Sequence, residues 1–160
     1  MQKIPFIARA IAGMAIALAL FAPQPLKAQT ASAVVHRIVD GDTVILKRGA
    51  TEIRGQLACI DAPDWIDGQP QTHAQTAKNR LNALMPVGSS VRYRNLGTIS
   101  SGDRTLVEIF HNNRNINVQM VAAGLARLHS RYRQTCPDSS DRLAEAQKQA
   151  ADRRLGIWIH

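Results

Sequence analysis

Val39-Asp40-Gly41-Asp42-Thr43-Val44, followed one hairpin later by Ile53-Arg54-Gly55-Gln56-Leu57-Ala58-Cys59-Ile60-Asp61-Ala62-Pro63-Asp64, is the stretch that decides the fold. Asp40-Gly41 reads as a tight turn, because glycine accepts the positive φ that a two-residue hairpin needs. Thr43 to Leu46 reads as a buried strand and Arg48-Gly49-Ala50-Thr51 as the next turn. Ile53 to Ile60 reads as a third strand, which Pro63 ends by removing a ladder donor. Asp42 then opens one strand and Asp61 closes its neighbour, so antiparallel pairing brings both carboxylates to one sheet end. Two such groups repel unless a cation lies between them. With the carbonyl of Ala62 they form an all-oxygen donor set that suits calcium, and Asp40 belongs to the same acidic turn. Either fragment alone is an ordinary turn or loop; the pair, one hairpin apart, is far more specific.

Outward from this stretch, Val34 to Val39 is the first strand and Trp65 to Gln71 a loop. A helix follows, capped by Thr72, with Ala74, Ala77, Leu81, Leu84 and Met85 on one face, and Pro86-Val87-Gly88 breaks it. Val91 to Arg94 and Leu106 to Phe110 are two more strands about the turn Ser100-Ser101-Gly102-Asp103, and Asn113-Arg114-Asn115 turns the chain again. A helix over Val118 to Leu128 and a last one from about Asp138 to Arg154 complete the order, with Trp158 packing the end of the chain onto the core.

Met1 to Ala28 has the pattern of a secretory signal: Lys3 and Arg9 first, the apolar run Ile11 to Ala22, then Pro23, Pro25 and Leu26-Lys27-Ala28 at a cleavage site. Ala31-Ser32-Ala33 offers a second site. The apolar run is short for a membrane span. The 160-residue chain carries a net charge of +8. Without Lys3, Arg9 and Lys27 there remain 17 basic against 12 acidic side chains, a net of +5. That balance permits a polyanionic partner without demanding one. His36, His73, His111 and His129 have no metal-ligand spacing, so no zinc site is assigned.

The two acidic motifs resemble those of the staphylococcal (micrococcal) nuclease family, whose pattern is a V-D-G-D-T-V turn and an R-L-x-G-I-D-x-P-E strand end. Asn117-Val118-Gln119-Met120-Val121-Ala122-Ala123-Gly124-Leu125-Ala126 is similar to the family's N-x-x-L-V-x-x-G-L-A. Ala144-Glu145-Ala146 and Leu155-Gly156-Ile157-Trp158 resemble its A-E-A and L-G-[IL]-W. The resemblance spans about Val34 to Trp158. It implies an α+β, mainly β fold: a five-stranded OB-fold barrel with three helices, forming one domain over residues 29–160. It also implies a monomeric calcium-dependent nuclease acting on DNA or RNA; the Met1–Ala28 pattern adds the expectation of export to the periplasm or beyond the cell, free of the membrane once processed.

Carried over by position, Asp42, Asp61 and the Ala62 carbonyl hold the metal, with Asp40 behind them, and Arg104 is the family's second arginine. Two positions depart. Gln56 stands where the family has its first arginine, and a glutamine has no charge and no bidentate fork for phosphate oxygens. Arg54, on the same strand face about 6.5–7 Å away, is a partial substitute. Asp64 replaces a glutamate and is one methylene short. The family's tyrosine for phosphate contact is absent at Gly102. Two readings therefore stand: a weakened nuclease, or a catalytically degenerate module binding nucleic acid or a protein through Arg127, Arg131, Tyr132 and Arg133. Cys59 and Cys136, the two cysteines, pair in an oxidising compartment or remain as two free thiols.

Export with cleavage predicts that mass spectrometry of the product of the full chain finds a mature N-terminus between Gln29 and Val34. An intact Met1 on a membrane-bound product excludes it.

Overall fold

Strand β1 (Thr30–Ile38) is long enough to pair twice. Its first half pairs antiparallel with β7 (Ser90–Thr98), from Thr30↔Arg94 to Val34↔Ser90. Its second half pairs with β2 (Thr43–Arg48) from Val34↔Lys47 to Ile38↔Val44, with an irregularity between Val35 and Arg37. β3 (Thr51–Leu57) pairs with β2 around Gly49 and Ala50, and β8 (Thr105–His111) pairs with β7. A parallel seam between β3 and β8, Gly55↔Thr105 to Leu57↔Val107, closes the sheet into a five-stranded mixed barrel. Gly55 permits that closure, since a Cβ there would lie 2.9 Å from Val107 Cγ2. This computed structural model describes residues 29–99 and 103–159. The expected signal segment and the residues Ser100 to Gly102 of the expected turn lie outside the described residues.

The barrel is filled by Val35, Val44, Leu46, Leu57, Val107 and Ile109, all buried, and capped by helices. Helix α1 (Ala74–Leu84) buries Ala74, Ala77 and Leu81, with Met85 beneath its end, as the periodicity predicts. α2 (Ile116–Ala122) packs against α4 (Ser140–Asp152), and a short α3 (Tyr132–Thr135) precedes α4. These give the three main helices of the expected architecture. Among the described residues no helix is long and apolar enough to cross a membrane.

A buried polar network holds the far wall. Glu108, 1% exposed, accepts from Asn115 Nδ2 and Ser139 Oγ and pairs with Arg94 Nη1 at 3.1 Å; the same Arg94 atom reaches Asp138 Oδ2 at 2.8 Å. A buried carboxylate is tolerated only with partners of this kind.

Several expectations need correction. Gly41 is not among the residues of positive φ. It is required by closeness, because a Cβ there would meet the Ala77 and Ala62 methyls at 2.7 and 2.9 Å. The third strand does not run to Ile60 but leaves the barrel after Leu57: Cys59 adopts φ 72°, and Ile60–Asp61 form a separate strand, β4. The segment expected as a loop from Trp65 contains a small hairpin, β5 (Trp65–Ile66) and β6 (Gln69–Pro70), turned by Asp67 and Gly68, both at positive φ. His73, at φ 71°, occupies the α1 cap in place of Thr72. α2 begins at Ile116, capped by Asn115, and stops at Ala122 because Gly124 turns with φ 67°. Beyond it Arg127–Leu128 form β10, not helix, and pair antiparallel with β4. A short β9 (Arg114–Asn115) lies where only a turn was expected. Of the two expected cleavage sites, one after Ala33 would remove Thr30 to Ala33, four of the five residues of β1 that pair with β7.

Gly124 meets the C-terminal motif. A Cβ on it would overlap the Leu155 carbonyl, and Ile157 N–H donates to the Gly124 carbonyl at 2.8 Å. Cys59 and Cys136 are joined as a disulfide with Cα atoms 6.3 Å apart, closing a loop with a sequence separation of 77. A native bridge of this kind contributes about 2–4 kcal/mol. Replacing both cysteines with alanine should lower the melting temperature by about 7–15 °C for a domain of this size. Scanning calorimetry checks it, and an unchanged melting temperature would show that the bridge contributes nothing.

Candidate active site

The Asp40 carboxylate builds the turn between β1 and β2. Its Oδ1 accepts the N–H groups of Asp42 at 2.9 Å and Thr43 at 2.6 Å, the local bonding that makes aspartate a turn residue. The turn is seated on the barrel by the Leu57 N–H, which donates to the Asp42 carbonyl at 2.7 Å. Asp42 is thereby fixed at the barrel end. Its Oδ1 accepts the Thr43 hydroxyl at 3.2 Å and its Oδ2 the Ala62 N–H at 3.1 Å. The second of these bonds joins the two acidic motifs directly.

Asp42 is 8% exposed. Burial pushes its carboxyl up to about 7, against the Ala62 N–H, which lowers it; the Asp40 charge adds to the rise, Thr43 opposes it, and Asp61 adds a little more. A carboxyl this disfavoured as an anion, beside the exposed carboxylate of Asp61, fits a hard cation. Asp42, Asp61 and the Ala62 carbonyl would hold one, with water completing the shell. Side chains alone do not complete it: among the described residues no three His, Cys, Asp or Glu side chains converge on one point. Asp40 has already committed Oδ1 to the turn.

Gln56 stands opposite Thr43 across the β2–β3 ladder and opposite Leu106 across the parallel seam. Arg104 Nη1 donates to Gln56 Oε1 at 3.1 Å. Asp42, Gln56 and Arg104 are thus gathered at one end of the barrel. Arg54 Nη1 lies 3.4 Å from Oδ2 of Asp103, the residue before Arg104, in an exposed pair. Asp64 sits at the foot of the β5–β6 hairpin, where its N–H donates to Gln71 Oε1 at 2.8 Å and its Oδ1 accepts the Trp65 N–H at 2.7 Å.

Two openings flank this group. One, of about 650 Å³, is lined by Asp61, Ala62, Asp64, Gln71, His73 and Arg127 among others. The second, of about 310 Å³, includes Gln56, Leu57, Leu106, His129 and Arg131. Arg133 lies over the Tyr132 ring at 5.1 Å and pairs with Asp141. Arg127 is therefore separated from Arg131, Tyr132 and Arg133, with which the sequence grouped it, and stands beside Asp61.

Gln56, Asp61, Ala62, Asp64 and Arg104 all fall within a stretch of sequence that matches known proteins. The family model for staphylococcal nuclease homologues matches residues 54–160. The chain belongs to the staphylococcal nuclease family. It is similar to a Haemophilus influenzae protein named an uncharacterized endonuclease, 32% identical over 126 residues that cover 78% of this chain and 64% of that one. It is also similar to the thermonuclease of Staphylococcus intermedius, 28% identical over 136 residues, covering 79% of this chain and 76% of that protein. The chain thus spans less than two thirds of the Haemophilus relative's length.

For a staphylococcal nuclease homologue, the sequence reading overlooked the place of Arg127. The signal was present: Gly124 is a helix-stop residue, so Arg127 could not be helical. Nothing local marks Gln71 or His73 as lining the larger opening.

The raised Asp42 carboxyl has a definite sign. Between about 3.8, its ordinary value, and about 7, the folded chain holds a proton that the unfolded chain has lost. Stability from this group is present at low pH and is lost as pH rises through that window. In chelator, Asp42→Asn should therefore melt higher than the parent at pH 8, with the difference shrinking toward pH 4. Added calcium should raise the melting point of the parent and not of the variant. Thermal melts at the two pH values check this, and a variant less stable at pH 8 would contradict it.

Proposed function

We propose that this chain is an exported, calcium-dependent nuclease that hydrolyses phosphodiester bonds of DNA or RNA, weakened by its changes at Gln56 and Asp64. The observation that carries this reading is the Asp42–Ala62 hydrogen bond. It fixes a buried carboxylate against the Asp61 strand end, at the barrel mouth that also holds Arg104. The Cys59–Cys136 bridge accords with an oxidising compartment, and hence with export.

Hydrolysis adds water across a P–O ester bond: the water oxygen bonds phosphorus, the ester oxygen leaves, and charge grows on the non-bridging oxygens. A bound calcium ion would supply charge neutralisation at the phosphate. Asp42 and Asp61 would hold that ion, and the Asp40 turn holds Asp42 still. Arg104, oriented by Gln56 Oε1, offers its guanidinium to the growing charge. Asp64 keeps Oδ2 for the attacking water, whose proton it accepts, because Oδ1 is engaged by Trp65. A shortened carboxylate places that water less well, and ~1 Å of misplacement costs about 10²-fold.

A binding module is the second reading. It is favoured by one specific observation, that Arg104 donates to Gln56 where a fully armed site would carry a second cation. Initial rates on single-stranded DNA, with calcium and then chelator, separate the two. Gln56→Arg combined with Asp64→Glu should raise the calcium-dependent rate by about 10²-fold, and Asp42→Ala should abolish it. A folded, calcium-binding double variant no faster than the parent supports the binding module.

A further inference from the structure

Strand β10 sets Arg127 directly opposite Asp61. Cross-strand neighbours have Cβ atoms about 4.5–5.5 Å apart, so the backbone, not a rotamer, fixes this proximity. Arg127 Nε lies 3.8 Å from Asp61 Oδ2, within reach of an ion pair but too far for a hydrogen bond. Its guanidinium fork is not committed to that carboxylate. Four other arginines are engaged, Arg54 with Asp103, Arg94 with Glu108 and Asp138, Arg133 with Asp141, and Arg104 with Gln56, while Arg131 lines the second opening and not this one. Of the described residues lining the larger opening, which include Asp61 and Asp64, Arg127 is the sole Lys or Arg. A phosphodiester entering beside those two carboxylates meets one arginine, whose backbone position β10 fixes.

We propose that Arg127 is the second phosphate-binding arginine of this protein, supplying from β10 the charge that Gln56 does not supply from β3, and that it is the counter-ion of Asp61 before substrate arrives. The proposal rests on the nuclease reading above. It has a consequence that a supporting role lacks. Arg127 and a cation compete for Asp61, so loss of Arg127 strengthens cation binding while weakening the hold on phosphate. A residue needed only for folding would weaken both.

Three measurements on Arg127→Ala and Arg127→Lys test it: calorimetric titration with calcium alone, titration with a phosphorothioate dinucleotide at saturating calcium, and initial rates on single-stranded DNA. Arg127→Ala should bind calcium several-fold more tightly and the dinucleotide about tenfold more weakly, with kcat/KM lower by about 10²-fold. Arg127→Lys should recover part of the rate, since it keeps the charge without the fork. In a Gln56→Arg background the cost of Arg127→Ala should shrink, because the two arginines serve one phosphate. Unchanged calcium and dinucleotide affinities in Arg127→Ala would overturn the assignment. If the parent cleaves and Arg127→Ala cleaves equally well, the Arg127 assignment alone falls. If the parent neither binds calcium nor cleaves, the nuclease reading falls and takes Arg127 with it. Melting curves establish folding, and Arg127→Gln, which keeps the stem and loses the charge, serves if alanine does not fold.

Discussion

The site depends on one bend, at Ala58 and Cys59, where the third barrel strand leaves the barrel. A chain turning inside a protein frees backbone groups that must find partners. Here each does. Ala58 N–H donates to the Val107 carbonyl at 2.8 Å, Asn117 Nδ2 donates to the Ala58 carbonyl at 2.9 Å, and the Cys59 carbonyl accepts from His129 at 3.0 Å. Asn117, fully buried, also bonds Val107 and Ile109, so one amide serves both sides of the parallel seam. Without this bend the chain would continue along β2, and Asp61 would be carried past the barrel rim, away from Asp42.

The two acidic groups are treated oppositely. Asp42 is buried and disfavoured as an anion, while Asp61 is exposed and answered by an arginine. A site with both carboxylates buried would be hard to keep folded in the absence of a cation. One with both exposed would hold the cation loosely. The division gives Asp42 a reason to take a cation and leaves Asp61 free to approach it.

The barrel was legible in the sequence because its strands alternate and its helices repeat apolar residues at helical spacing. Ala74, Ala77 and Leu81 announce α1, and Thr43 to Leu46 announce β2. The family-like tail was legible for a reason the residues alone conceal: Gly124 and the Leu155-Gly156 pair are in contact, so two distant motifs are one packing unit. What could not be read was set by partners far along the chain. The positive φ at Cys59 is unusual for a side chain with a Cβ, and only the disulfide and the Asn117 bond account for it. The Gly41 requirement came from Ala77 on a helix, not from its own turn. The placement of Arg127 followed from β4, which exists only because β3 breaks.

The Asn117 amide, the Cys136 sulfur and the Gly124–Leu155 contact also impose an order in time. A chain that emerges N-terminus first exposes Asp42 and Asp61 while every group that holds the bend is still to come. Only the local β2–β3 hairpin then links the acidic motifs, and closing the β3–β8 seam means ordering the long chain between those two strands, an entropic cost met only when the non-local contacts form. The nascent polypeptide therefore carries the components of the site without the site, and assembly is tied to release of the C-terminal segment.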